Sequence, residues 1–269
     1  MPRRISVIIP TLSGDAAGTI ASLRTQTVTD WELIVVSGVR PAGRARNEGI
    51  GRATGDLLVF IDDDARFGDP SVLGRMVDAL APGIGVVGTA KLLPATATPF
   101  QQRVAREVPG WVHPVVGTQV DVEPPVDRYG FTAVTTTCCL IERKVLEAVG
   151  GFNETLPTGE DTELFYRIRR AGYRFVIPAD AWAWHSPPAT VRALARKCFW
   201  YGVGHCHEAH LHPERRMRAR DVWRQSRILH RWAVPPRAGA TRPSVSALRA
   251  FAMLATGYGY VWAHVTRRG

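Results

Sequence analysis

Short, largely apolar runs separated by helix-compatible stretches constrain this chain more than any other feature. Ile5-Ser6-Val7-Ile8-Ile9-Pro10 is stopped by a proline, and Glu32 to Val36 repeats the pattern. Leu57 to Ile61 is a third run, and Gly85 to Val87 begins a fourth. Strands buried on both faces read as continuous apolar runs rather than as alternating ones. Ala16–Gln26 and Ala45–Ala53, lying between the runs, have helical character. This order predicts an α/β domain with a mixed, mostly parallel central sheet. In such sheets ligands bind beyond the carboxyl ends of the strands. Those ends are Pro10-Thr11, Ser37-Gly38 and Asp62-Asp63-Asp64.

Further along, Pro94, Pro99, Pro109, Pro114, Pro124 and Pro125 predict an irregular excursion over 94–130. Trp111 and His113 within it are candidates for the wall of a ligand cleft. Thr132–Ile141 reads as a strand, Glu142–Val149 as a helix ending at Gly150-Gly151, and Thr162–Ala171 as an amphipathic helix ending at Gly172.

Charge divides the chain. Residues 1–190 carry 19 Lys/Arg and 21 Asp/Glu, whereas 191–269 carry 15 Lys/Arg and 3 Asp/Glu, a net of +12. The expected organisation is a near-neutral domain over 1–190 and a basic helical appendage over 191–269. Such asymmetry calls for an acidic partner. Residues 214–231 hold seven arginines among Met217, Val222, Trp223, Ile228 and Leu229, and 245–265 is apolar but interrupted by Arg249 and two glycines. That composition fits 214–265 lying on an anionic membrane surface, or its helix packing on the body. Nucleic acid is disfavoured as a partner, since no recognised binding motif accompanies the charge. Four cysteines, two of them adjacent, do not make a disulfide framework. With no leader-like start, the expectation is a cytoplasmic protein, peripheral at the inner face of the cell membrane.

The chemistry concentrates in Asp62-Asp63-Asp64. Three adjacent carboxylates beside an apolar strand repel one another unless a cation gathers them. Hard divalent ions such as Mn²⁺ or Mg²⁺ prefer these oxygens and bridge to phosphates. Cys198, His205, Cys206, His207, His210 and His212 are metal-capable residues, but their spacing does not match a zinc site. They read as a helix end and turn.

Taken in order, Ile5–Thr11, Ala45-Arg46-Asn47-Glu48-Gly49-Ile50, Ala53–Asp56, Phe60–Asp64, Gly150–Glu154 and Gly159-Glu160-Asp161 resemble a family 2 glycosyltransferase of GT-A fold. The resemblance covers residues 5–185. It implies an inverting transferase that moves a sugar from a nucleoside-diphosphate donor to an acceptor hydroxyl. Asp62 and Asp64 would form the D-x-D pair, with Asp64 the direct metal ligand, Asp62 near the metal or ribose, and Asp63 in the variable middle position. His185 would complete the metal site, and Asp161 would be the general base. Pro10 and Thr11 would border the nucleotide. Arg44, Arg46 and Asn47 would contact base, ribose or diphosphate, and Arg196 the diphosphate. Family members usually carry an aspartate after the second strand, where this chain has Ser37. UDP is the first expectation for the donor, with GDP and dTDP as alternatives. A sugar-nucleotide pyrophosphorylase should show a glycine-rich basic loop after the first strand, and Thr11–Asp15 contains no Lys or Arg. A degenerate, non-catalytic binding protein is the remaining alternative; retention of Asp62, Asp64 and Asp161 argues against it.

Overall fold

The computed structural model describes residues 4–122, 134–216 and 246–267. The chain begins with β1 (Ile5–Thr11), α1 (Ala17–Arg24), β2 (Trp31–Ser37), α2 (Ala42–Arg52) and β3 (Leu57–Ile61). It continues through β4 (Arg66–Phe67), α3 (Val72–Asp78), β5 (Ile84–Gly88), β6 (Ala90–Leu92) and α4 (Pro99–Glu107). Next come β7 (Val120–Val122), β8 (Cys138–Glu142), α5 (Arg143–Val149), α6 (Glu160–Arg170), β9 (Arg174–Ile177) and β10 (Trp182–Trp184). Two long helices follow, α7 (Val191–Leu211) and α8 (Ala247–Thr266), with a 3-10 turn at Pro213–Arg215 after α7.

The central sheet has seven strands in the order β2-β1-β3-β8-β5-β9-β7. β2, β1 and β3 are parallel; β8 inserts antiparallel to both β3 and β5. A smaller sheet, β4-β10-β6, stands beside it. Alternation along β1 and β3 divides their side chains between two cores. Val7, Ile9, Val59 and Ile61 meet Leu23 of α1 and Leu73 and Met76 of α3. Ile8, Leu58 and Phe60 meet Leu146 of α5 and Leu164 and Phe165 of α6. Helices therefore cover both faces, and burial on two sides explains why these strands are apolar at nearly every position.

Several expectations need correction. The 94–130 excursion contains a helix, α4, because Thr98 and Gln101 form a reciprocal capping box and Pro99 occupies the first turn. Proline there starts the helix rather than breaking it. Of the strand expected over Thr132–Ile141, residues 132 and 133 lie outside the described residues, and the strand runs from Cys138 in β8. The Cys198–His210 cluster lies along one uninterrupted helix, α7, not at a helix end and turn, although His212 caps it. The basic stretch 214–231 lies, from residue 217 onward, outside the described residues.

Helix α8 packs along α7, and glycines set their separation. A Cβ on Gly202 of α7 would run into the carbonyl oxygen of Thr256, and one on Gly259 of α8 into that of Phe199. Leu248 and Ala252 of α8 also share a core with Leu194 and Cys198 of α7, Val104 of α4 and Trp111. The two helices are thereby joined to the excursion that precedes the second half of the sheet. Gly202→Val should cost about 1–3 kcal/mol, since backbone cannot yield as a side chain can. Thermal denaturation should show Tm falling by roughly 2–4 °C per kcal/mol. Gly257→Ala, which meets open space, is the control expected to leave Tm unchanged or raised; equal Tm for both variants would contradict the close approach.

Candidate functional site

The acidic triplet leaves the core at the end of β3. The Asp62 N–H donates to the Thr137 carbonyl at 3.1 Å, and the buried Thr19 hydroxyl lies 2.6 Å from the Ala65 carbonyl and 2.8 Å from that of Asp63. These contacts hold the turn so that its carboxylates face outward: the Asp64 side chain is 66% exposed. His185 follows β10, and its N–H donates to the Leu92 carbonyl at 3.0 Å, so the small sheet aims it. Ligand atoms of Asp62, Asp64 and His185 lie within 4.8 Å of one another. His185 Nε2 is 3.6 Å from Asp64 Oδ1, beyond hydrogen-bond range. Its buried Nδ1 has no hydrogen-bond partner. Burial, and then Lys91, lower the His185 pKa to about 4, which keeps the imidazole neutral. Two carboxylates and a neutral imidazole that approach without bonding form a donor set suited to a divalent metal. The cleft around Asp64 and the charge of Asp62 raise its pKa, which a cation between them would reverse.

Arg46 of α2 connects this cluster to the second acidic motif. It is buried; Nη2 donates to Asp62 Oδ1 at 2.9 Å, and Nη1 pairs with Glu160. Its guanidinium also lies 5.5 Å from the Phe152 ring centre. Burial opposes the charge of Arg46, but Glu160 and Asp62 hold its pKa above the usual value. Arg46 is thus engaged by protein on two sides. Asn47 is held by protein as well. Its amide donates to the Phe152 carbonyl and Glu154 carboxylate, both at 2.8 Å, and its oxygen accepts from the Phe152 N–H at 2.9 Å. It fastens the Gly150–Glu154 segment to α2.

Glu160 and Asp161 occupy the first turn of α6, behind Gly159, whose φ of 81° favours glycine. Neither acid is the N-cap. The Asp161 carboxylate accepts from the Thr162 N–H at 2.8 Å. Burial and the neighbouring Glu160 raise its pKa, outweighing Arg46 and the Thr162 N–H. A carboxylate with raised pKa is a stronger proton acceptor.

Two cations absent from the motif-based expectations stand here. Lys91 of β6 is buried, with Nζ donating to the Gly110 carbonyl at 3.0 Å; burial lowers its pKa to about 8, and Asp161 and Asp62 oppose that shift. Lys197 of α7 lies 6.0 Å from the Trp111 ring and 5.9 Å from that of Tyr201, and its charge is felt by Asp64. The expected cation, Arg196, is the residue before it, and both are exposed. One signal was available: the chain has three lysines among 34 basic residues, and two of them converge on this site. Trp111 and His113 are buried rather than forming an open wall; Trp111 stacks on His185 with ring centres 6.3 Å apart, and the His113 N–H donates to the Lys91 carbonyl at 2.9 Å.

At the strand ends, Thr11 and Ser37 pair across β1 and β2. Thr11 is buried and accepts from the Gly14 N–H at 3.1 Å; Pro10 is half-buried and Ser37 exposed. A pocket of about 380 Å³ opens beside them, lined by Ser13, Asp15, Gly18, Asp63, Asp64 and Arg66. Burial raises the Asp63 pKa, while a hydrogen bond from Thr11 lowers it. Asp63 thus turns toward the strand ends and the pocket. Arg44 is exposed on α2.

Removing Arg46 would leave the Glu160 carboxylate buried without its partner. Arg46→Met should therefore cost about 3–5 kcal/mol in urea denaturation, the range for breaking a buried pair from one side; a loss below about 1 kcal/mol would contradict the bridge. A second expectation concerns pH. Burial lowers His113 to about 3 and His185 to about 4, from 6.5. Between pH 6.5 and 4 the unfolded chain binds protons that the folded chain refuses, so stability falls as pH falls. Each such histidine contributes a slope of up to about 1.4 kcal/mol per pH unit. Denaturation midpoints at pH 7 and 5 should converge in His113→Leu relative to wild type; an unchanged gap would contradict a neutral buried His113.

Residues 2–202 match the family described as Glycosyltransferase like family 2. The O-antigen biosynthesis protein RfbC of Myxococcus xanthus is 33% identical over 154 residues, covering 54% of this chain and 12% of RfbC. The pre-mycofactocin glycosyltransferase of Mycobacterium tuberculosis is 28% identical over 166 residues, 59% of this chain and 33% of the relative. The O-antigen chain rhamnosyltransferase WbaN of Salmonella anatum is 26% identical over 203 residues, 74% of this chain and 62% of WbaN. The matches thus span less than two thirds of each relative's length. Among solved structures, the mannosyltransferase PcManGT from Pyrobaculum calidifontis, in complex with GDP-Man and Mn²⁺, superposes with a TM-score of 0.57. That alignment covers 99% of this chain and 85% of PcManGT at 17% identity, a likeness of fold. The fold is of GT-A type, and the chain belongs to glycosyltransferase family 2.

Proposed function

We propose that the chain is an inverting, metal-dependent glycosyltransferase that moves a sugar from a nucleoside diphosphate to an acceptor hydroxyl. The observation that carries this reading is the coupling of two acidic sites through one buried cation. Asp62, beside Asp64 and His185, and Glu160, beside Asp161, share Arg46.

Asp62, Asp64 and His185 would hold Mn²⁺ or Mg²⁺. When bound, such an ion acts as a Lewis acid on the departing diphosphate. The chain's own residues supply the rest. Lys197 adds positive charge near Asp64, where the leaving group gains negative charge. Thr11, Ser37 and the pocket at the ends of β1 and β2 would receive the nucleoside. Ser37 can donate or accept a hydrogen bond but lacks the charge of an aspartate. UDP, GDP and dTDP are therefore all admitted, and the GDP-Man bound by PcManGT gives GDP added weight.

Transfer is written as a single displacement. The acceptor oxygen forms a bond to the anomeric carbon as the carbon–phosphate oxygen bond breaks. The electron pair leaves with the diphosphate, and the hydroxyl proton passes to Asp161. One displacement inverts the anomeric centre. Arg46 keeps Glu160 paired beside the base, so that Asp161 is the acid left to accept the proton. Among the described residues no helix is long and apolar enough to cross a membrane; the proposed setting is cytoplasmic.

Asp161→Asn should lower transfer by about 10²–10⁴-fold, the usual contribution of a general base, with nucleotide binding by calorimetry largely intact. Loss of nucleotide binding would instead make Asp161 a structural support. Removal of outer-shell partners alone costs metal sites about 10–100-fold, so Asp64→Ala should weaken metal-dependent nucleotide binding at least about tenfold. Unchanged binding would remove Asp64 from the ligand set.

A further inference from the structure

The α7–α8 pair presents a face that nothing among the described residues covers. On α8, Leu248, Ala252, Gly259 and Ala263 are buried, and they fall on one side of the helix. Leu254, Tyr258, Val261 and Val265 recur at intervals of four, three and four residues, which aligns them in one stripe away from that side. Their exposures are 74%, 66%, 59% and 63%. Trp262 flanks the stripe and is 42% exposed. From α7, Phe199 packs on both Tyr258 and Trp262, and the exposed Trp200 extends the apolar surface beside it. Between Arg249, near the start of α8, and Arg267, after its end, no residue is charged by formula except on protonation of His264.

We infer that this face docks on an anionic lipid surface, with α8 lying in the plane of the interface. The stripe is apolar along its length, and Tyr258, Trp262 and Trp200 are amphipathic rings of the kind that settle at headgroup level. α8 is not long and apolar enough to cross a bilayer. The charge at the helix ends is cationic: exposed Arg216 follows the turn after α7, and exposed Arg267 follows α8. By sequence, 217–245 contains seven Arg against one Asp. Anionic headgroups complement that charge. A second copy of the chain would instead bring two regions of net +12 together and repel. Trp200 is three residues from Lys197 on α7, roughly one helical turn, so the docked face begins beside the mouth of the candidate site. The docking surface does not depend on the transfer reading, and either can fail alone.

The test is flotation of the full chain with vesicles of phosphatidylcholine alone or with phosphatidylglycerol added, at low and high salt. The wild-type chain should float with anionic vesicles and be released by salt, with little binding to the neutral ones. Leu254→Glu/Val265→Glu should lower flotation at least about tenfold, because a charge inserted into the apolar stripe must be dehydrated. Its Tm and its nucleotide-induced thermal shift should match wild type, since both side chains are exposed and outside the site. No flotation of the wild-type chain, equal flotation on both vesicle types, or flotation unaffected by the double substitution would each overturn the inference. So would a stable wild-type dimer, seen by sedimentation, that the double substitution dissociates.

Discussion

The buried guanidinium of Arg46 holds the two acidic motifs in one site. Asp62 ends a strand and Glu160 begins a helix 98 positions later, and both depend on the same cation for charge balance. Without it, Asp62, Asp64, Glu160 and Asp161 would crowd like charges into a partly desolvated cleft, where each raises the pKa of the others. With it, Glu160 is neutralised and Asp161 is left with a raised pKa. The arrangement sets Asp161 apart from Asp62 and Asp64, whose carboxylates lie with His185. α2, which carries Arg46, is itself fixed by Asn47 to the Gly150–Glu154 segment, so the bridge is built on a rigid contact between distant parts of the chain.

The small sheet and α7 complete the site from the other side. β10 and β6 aim His185 and Lys91, Trp111 stacks behind the imidazole, and Lys197 approaches from α7. The helices after residue 190 are therefore continuous with the cleft through Lys197 and Tyr201. Lysine, unlike arginine, changes pKa readily on burial, and Lys91 sits near 8 in this setting. In a chain that otherwise uses arginine almost throughout, two lysines beside four carboxylates mark a place where a compact, tunable cation is used.

Much of this was legible in local pattern. The strands β1, β3 and β5 are apolar because both their faces are buried, whereas the edge strand β2 is only half-buried; each run in the sequence lies within one of these four. The acidic cluster and His185 follow from motifs placed at strand ends. What escaped depends on contacts across long separations. β4, β6 and β10 have two or three residues each, too few for a periodic signal. Helix α4 was hidden by a proline whose meaning depends on Thr98 before it. Arg46 and Asn47 lie in a motif that points to the donor, but their partners, Glu160 and Phe152, are more than a hundred residues away. No local reading shows that a polar side chain is already satisfied by the protein.

The most direct test of the central claim is thermal denaturation of the wild-type chain with UDP, GDP or dTDP, each with and without Mn²⁺. Ligand that binds only the folded state raises stability by about 2.7 kcal/mol at a hundred times its Kd. The account predicts a rise in Tm for at least one nucleotide with Mn²⁺ present and a much smaller rise without it, and the responding nucleotide identifies the base. No shift with any nucleotide, or an equal shift in the absence of metal, would contradict a donor site built on Asp62, Asp64 and His185.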